Sequence, residues 1–163
     1  MNIAILHYSV PPIVGGVESV VAHHAYLMSA GGHSVRLIAA RGKALSEDIP
    51  LVVIPLADSR HARVTEVKDQ LDRGEVTADF ETLRDELGEQ LQSALIGVDV
   101  LIVHNICSLN KNLALNCRAS SIAYCGQTSA FDPLASRSGM DNAALSKGIA
   151  RRLSLELAKN RMA

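Results

Sequence analysis

The sequence contains no tryptophan, and aromatic residues make up only 3% of its 163 positions. Proteins that bind single-stranded nucleic acid usually stack the bases on aromatic side chains. The charge balance also argues against such a partner, because 16 basic residues are set against 17 acidic ones, whereas nucleic-acid-binding domains usually carry a basic excess. We therefore expect no nucleic-acid partner.

Cysteine is scarce as well. Cys107, Cys117 and Cys125 are an odd number and have no Cys-x-x-Cys spacing, so neither a disulfide framework nor a metal site is predicted. The first residues lack the basic region and cleavage site of a signal peptide, and no apolar run approaches the roughly 20 residues that span a bilayer. The sequence therefore predicts a cytoplasmic protein with reduced thiols and no transmembrane segment.

What is present is an ordinary globular composition, with 48% hydrophobic and 20% charged residues, which excludes disorder over the whole length. Short apolar runs alternate with amphipathic stretches. The predicted strands are Asn2–Tyr8, Ser34–Ala40, Leu51–Leu56, Val98–Ile106 and Ser121–Gln127, and the predicted helices are 17–30, 64–71, 80–94, 110–118 and 140–162. This alternation predicts an α/β fold in which a mainly parallel sheet has helices on both faces.

The loop after the first predicted strand is the first candidate site. Gly15 and Gly16 stand where the next helix begins, and ligands of open parallel sheets bind outside the carboxyl ends of the strands. Glycines let a backbone approach a ligand closely, and a helix N-terminus attracts anions such as phosphate. Glu18 either favours the helix dipole or reaches a ligand hydroxyl. Plain turn chemistry is the alternative, since Gly-x-Gly-x-x-Gly and the Walker A pattern are both absent.

His104 and Asn105 form the second candidate, at the carboxyl end of a predicted strand. A neutral imidazole there donates or accepts toward a sugar or phosphate oxygen, and the amide of Asn105 adds a partner for hydroxyl groups. The alternative is an ordinary hydrogen-bonded histidine at a strand end. His7 is a weaker version of the same feature, and of His23 and His24 one is expected to pack and the other to face solvent.

The segment from Asn2 to Val35 resembles the opening of the GT-B glycosyltransferases of the family-four type. Their pattern is a strand, a proline-containing loop, Gly-Gly-x-Glu, a helix and Gly-His-x-Val. This sequence has Gly15-Gly16-Val17-Glu18 and Gly32-His33-Ser34-Val35 at matching spacing, and the strand that ends in His104 looks like the family's fourth.

The resemblance implies a Rossmann-like three-layer α/β/α domain, one half of a GT-B fold. In the family this half mostly holds the acceptor, and a C-terminal domain binds most of the nucleotide-sugar donor. Transfer is retaining, and needs no metal or cofactor besides the nucleotide-sugar co-substrate. By that likeness Gly15, Gly16 and Glu18 lie near the donor phosphates and the acceptor, which is a glycan, a lipid-linked sugar or a small molecule, and His104 and Asn105 line the cleft.

This chain departs from the family pattern in two respects, and both change what we expect of it. Its length leaves no room for the donor-binding domain, and Gly126 stands where the family's fifth strand ends in histidine. We therefore expect a glycosyltransferase domain at 1–118 and a divergent extension at 119–163, produced either by a frame change or truncation or by genuine divergence. Such a chain is expected to be inactive without the missing domain, and its catalytic residues stay unassigned.

Two other functions remain open from the sequence. A non-catalytic α/β module that binds a glycan or a protein partner needs no second domain. A small nucleotide-binding oxidoreductase shares the fold class, but its glycine fingerprint is absent here.

Overall fold

The computed structural model describes residues 1–125 of the chain, and residues Met1–Ser120 form the first of two compact units. The strands are β1 (Asn2–Leu6), β2 (Ser34–Ala39), β3 (Leu51–Val53) and β4 (Val100–Val103). The α-helices are α1 (Gly16–Ala30), α2 (Ala62–Asp72), α3 (Ala78–Ala94) and α4 (Leu113–Cys125), with a short 3₁₀ helix at Pro55–Ala57. The domain boundary expected near residue 118 stays a prediction.

The four strands form one parallel sheet in the order β3-β2-β1-β4. In register, Ile5 pairs with Leu37 on one side and with Ile102 on the other. The chain moves outward from β1 to β3 and then returns to the opposite side of β1 as β4. This reversal of direction makes the β1–β4 junction the topological switch point. The predicted α/β class and the Rossmann-like three-layer arrangement are confirmed.

Helix α1 covers one face of the sheet. Ile3 and Ile5 of β1 are buried against Val21 and Ala25 of α1, and Ile102 of β4 packs onto the same cluster. The apolar residues of β1 that face α1 alternate, as expected for a strand whose side chains point to opposite faces in turn. The same alternation determines which side chains beyond the ends of β1 and β4 lie on the face that α1 covers.

The acid-rich run from Asp58 to Leu95 forms helices with solvated charges. The apolar stripe predicted for α3 is buried along its whole length, at Phe80, Leu83, Leu87, Leu91 and Ala94. The charged side chains make exposed pairs such as Arg63–Glu86, whose nearest atoms are 2.7 Å apart. Exposed pairs of this kind contribute little to stability, so the buried stripe is what holds α3 in place.

The prediction of a fifth strand at Ser121–Gln127 is wrong for residues Ser121–Cys125, which continue helix α4. Leu115 and Ala119 are fully buried, a four-residue step that belongs to a helix. The segment Leu113–Cys125 contains no proline or glycine, so no helix-breaking residue ends α4 before Gly126. Gly126, Gln127 and the helix predicted at 140–162 lie outside the described residues.

The third strand is also shorter than predicted. It ends at Val53, and the 3₁₀ helix begins at Pro55, because proline has no N–H to donate to a sheet. No helix within residues 1–125 combines the length and the apolar character needed to cross a bilayer.

Candidate functional site

A layer of polar side chains continues the apolar core at the carboxyl edge of the sheet. The backbone pairing extends one residue past each strand, because the His7 N–H donates to Ile38 O at 3.1 Å and the His104 N–H to Leu6 O at 3.0 Å. Following the alternation of β1, His7 and Ser9 come after Ile5 on the face that α1 covers. Both are buried, with exposures of 5% and 4%. This polar layer comprises His7, Ser9, Glu18, His24 and His104.

His7 links the two strands of the switch point. Its Nδ1 lies 2.8 Å from the carbonyl oxygen of His104. Because a carbonyl oxygen only accepts, Nδ1 must carry the proton in this contact. The tautomer of neutral His7 is thereby set, and its Nε2 is left as an acceptor. Within residues 1–125 no group is hydrogen-bonded to that Nε2.

His104 contacts a histidine of α1. The ring centroids of His24 and His104 are 5.3 Å apart, at an interplanar angle of 42°. The Nε2 atom of His104 is buried and has no hydrogen-bond partner among the described residues. Burial, followed by the nearby His24 and His7, lowers the pKa of His104 below 6.5. As expected, one histidine of the α1 pair packs and the other, His23, is exposed.

The lowered pKa of His104 predicts how stability depends on pH. The unfolded chain takes up a proton near pH 6.5 and the folded chain only at lower pH, so folding loses stability as the pH falls through 6.5. The free energy of unfolding, from urea titrations between pH 8 and 5, should fall less steeply in His104→Gln than in the wild type. His23→Gln, which removes an exposed imidazole of α1, is the matched control. Equal slopes in the wild type and His104→Gln would contradict the prediction.

Glu18 lies in the first turn of α1 and turns back onto the loop before it. Ser9 Oγ donates to Glu18 Oε1 at 2.6 Å. This hydrogen bond is the main cause that lowers the pKa of Glu18; burial opposes it, and the Glu18 N–H, His7 and Arg41 add to it. A Cβ atom on Gly15 would stand 2.1 Å from Glu18 Oε2, whereas one on Gly16 would meet nothing within 4 Å. Gly15 therefore leaves the space that the carboxylate occupies.

Asn105 follows His104 with a φ of 57° and is the only described residue other than glycine with positive φ. Asparagine adopts this left-handed conformation more readily than most residues. Its side chain is exposed, and its predicted place in a cleft stays a prediction.

Sequence reasoning missed Ser9, which belongs to the polar layer, and Arg41, which lies beside it. The signal for Ser9 was available, since it stands two residues after His7 and so shares its face of the strand. Arg41 follows β2 and forms an ion pair with Asp58, with Nε 2.8 Å from Oδ2. It is close enough to Glu18 to lower the pKa of that carboxyl. No sequence pattern links Ser9, Arg41 and Asp58, because they follow three different strands, β1, β2 and β3.

Two further features of residues 1–125 concern other kinds of site, a metal centre and a surface depression. No group of three or more His, Cys, Asp or Glu suited to a metal ion occurs in residues 1–125. An open depression of about 510 Å³ runs along α2, lined by Ala62, Thr65, Glu66, Asp69, Gln70 and Arg73. These are side chains of one helix and include none of the polar layer, so the polar layer is the stronger candidate site.

Comparison with protein-family models, with curated protein sequences and with solved structures finds no match for this chain. Any functional assignment therefore depends on the residues and their geometry.

Proposed function

We propose that residues 1–118 are the N-terminal, acceptor-side domain of a retaining glycosyltransferase, which transfers a sugar from a nucleotide-sugar donor to an acceptor hydroxyl. The observation that carries the proposal is the convergence of the Gly15–Gly16 loop, Glu18 and His104 at the β1–β4 switch point. This is where open parallel sheets bind ligands. The likeness of the Gly-Gly-x-Glu and Gly-His-x-Val segments to glycosyltransferases adds the reaction class.

The chemistry of the polar layer suits an acceptor rich in hydroxyl groups. The Glu18 carboxylate and the Nε2 of His7 can accept hydrogen bonds, and within residues 1–125 neither that Nε2 nor the Nε2 of His104 has a hydrogen-bond partner. In the reaction, the acceptor oxygen bonds to the anomeric carbon as the bond from that carbon to the donor diphosphate breaks. Stabilising the departing diphosphate is an electrostatic task that we assign to a separate donor-binding domain.

The proposal is tested by binding to the full 163-residue chain. We expect saturable binding of at least one glycan from an array, followed by titration of that glycan while the imidazole C–H signals are recorded by NMR. The signals of His7, His24 and His104 should shift. Those of His23, His33 and His61, which lie outside the polar layer, serve as internal controls.

Three results would contradict the proposal. The first is that no glycan binds, and the second is that binding shifts only the control histidines. The third is saturable binding of NADH or a flavin, which would favour a nucleotide-binding oxidoreductase. Incubation with nucleotide-sugar and acceptor is expected to yield no transfer unless a donor-binding domain is added.

A further inference from the structure

The solvent-facing side of α1 carries no Asp, Glu, Lys or Arg. The only one of these residues in the helix is Glu18, which is not exposed and accepts a hydrogen bond from Ser9. The exposed residues of the central turns recur at steps of three and four, so they lie on one side of the helix. These residues form the α1 stripe, which comprises Ser19, Val20, His23, Tyr26 and Leu27.

The α1 stripe differs from the exposed surfaces of α2 and α3, which include charged residues such as Glu66 and Glu89. In the stripe, Val20 is 43% exposed, Tyr26 50% and Leu27 68%. The opposite side of α1 is buried in the core against the sheet. A helix that is apolar on both sides is usually buried on both sides, so the stripe calls for a partner.

The polar side chains of the α1 stripe already use their protons within the chain. Ser19 Oγ donates to Gly15 O at 3.1 Å, and the Tyr26 hydroxyl donates to Leu45 O at 3.2 Å. His23 Nδ1 lies 3.3 Å from Ser19 O and carries a proton in this contact, because a carbonyl oxygen only accepts. Covering the stripe therefore leaves none of these three donors unpaired, which is the usual cost of burying polar groups.

We infer that the α1 stripe is the interface at which two copies of this chain form a dimer. Charge favours this occupant over others. A strongly charged partner would meet no opposite charge on the stripe, and an anionic membrane surface attracts Lys and Arg, which the stripe lacks. A second copy presents an equally uncharged stripe, and a net charge of −1 on each chain adds little repulsion.

The α1 stripe is symmetric about His23, which suits an antiparallel pair. Ser19 and Leu27 each stand four residues from His23, and Val20 and Tyr26 each stand three. A two-fold axis at His23 therefore brings Leu27 and Tyr26 opposite the smaller Ser19 and Val20 of the second copy. Large residues packed on small ones let the two helices approach closely, and their dipoles run in opposite directions.

The size of the α1 stripe predicts a weak dimer. A helix of 15 residues is about 22 Å long, and the stripe supplies five residues, whereas a standard interface has roughly 20–30 on each side. We therefore expect a dissociation constant in the micromolar range. The stripe does not overlap the polar layer, so this inference does not depend on the proposed function.

Sedimentation equilibrium of the full 163-residue chain over a concentration series tests the inference. Leu27→Glu places a charge against an uncharged surface twice in a symmetric dimer, and should raise the dissociation constant at least about tenfold. Val76→Glu is the matched control, because Val76 is 59% exposed but lies between α2 and α3. It should change the constant by no more than about twofold. Val20→Glu is a second test variant should Leu27→Glu fold poorly.

Mixtures of variants test the antiparallel arrangement. Positions 19 and 27 lie opposite each other in that arrangement, so Ser19→Lys should bind Leu27→Glu several-fold more tightly than the wild type does. Leu27→Lys should give no such gain with Leu27→Glu, because the two copies of residue 27 lie toward opposite ends of the stripe.

The possible outcomes decide the inference separately from the glycan experiment. A dimer that is weakened by Leu27→Glu, is unaffected by Val76→Glu and is recovered with Ser19→Lys supports it. A wild-type chain that stays monomeric overturns it, as does a dimer that Leu27→Glu leaves intact or that both variants weaken equally. Recovery with Leu27→Lys alone overturns the antiparallel arrangement. A monomer that binds uncharged phosphatidylcholine vesicles through the stripe would make a lipid surface the occupant and would also overturn the inference.

Discussion

Replacing Gly42 by alanine is expected to lower the free energy of unfolding by about 3 kcal/mol or more. Gly42 has a φ of 131°, and an added Cβ would lie 2.4 Å from Val10 Cγ2 and 2.6 Å from the Val10 carbonyl oxygen. Two hydrogen bonds hold this backbone in place: the Val10 N–H donates to Arg41 O, and the Lys43 N–H donates to Pro11 O, both at 2.9 Å. Relief of the clash therefore requires breaking the contacts that fix the loop leading to Gly15.

The Gly42→Ala prediction is checked by urea unfolding against Gly97→Ala. Gly97 also has positive φ, at 72°, but an added Cβ there would meet nothing within 4 Å. Its replacement should cost only the backbone strain, about 1–2 kcal/mol. The difference between the two variants measures the contact with Val10. A Gly42→Ala variant no less stable than Gly97→Ala would show that the loop yields without cost.

Replacing Asn112 by alanine is expected to cost about 2–3 kcal/mol. Asn112 is only 1% exposed. Its Oδ1 accepts from the Leu115 N–H at 3.1 Å and so caps the first turn of α4, while its Nδ2 donates to the carbonyl oxygen of Leu56 at 2.9 Å. Alanine removes the cap and leaves a buried carbonyl without its donor. Both losses add, because the two groups are separate.

Thermal or urea unfolding measures the loss of stability in Asn112→Ala. Two further variants separate the contribution of the cap from that of the hydrogen bond to Leu56. Asn112→Ser keeps an oxygen suited to the cap but is too short to reach Leu56, and should fall between the wild type and Asn112→Ala. Asn110→Ala, at an exposed position two residues earlier, should stay within about 0.5 kcal/mol of the wild type. Equal stability of Asn112→Ala and Asn110→Ala would contradict the prediction.

Local patterns were sufficient for most of the fold. Strands and helices could be predicted from the spacing of apolar residues alone. Examples are the apolar runs of β1 and β4 and the apolar stripe of α3, whose spacing follows directly from which side chains are buried. The same reasoning failed at Ser121–Cys125, where an apolar run too short to distinguish strand from helix continues α4. There the burial of Leu115 and Ala119 against the rest of the domain decided the outcome.

In the candidate site, too, some features could be predicted from the sequence and others depended on the tertiary structure. The sequence by itself determined that Gly15, Gly16, Glu18 and His104 follow the ends of strands, and therefore that they would meet at one edge of a parallel sheet. Only the tertiary structure decided what Glu18 does there. Ser9 donates to its carboxylate, which lies at the start of α1 in the space that Gly15 leaves, and His7 is close enough to lower its pKa. The contact between His7 and His104 joins residues 97 positions apart. Such pairings depend on strand order, which local spacing does not encode.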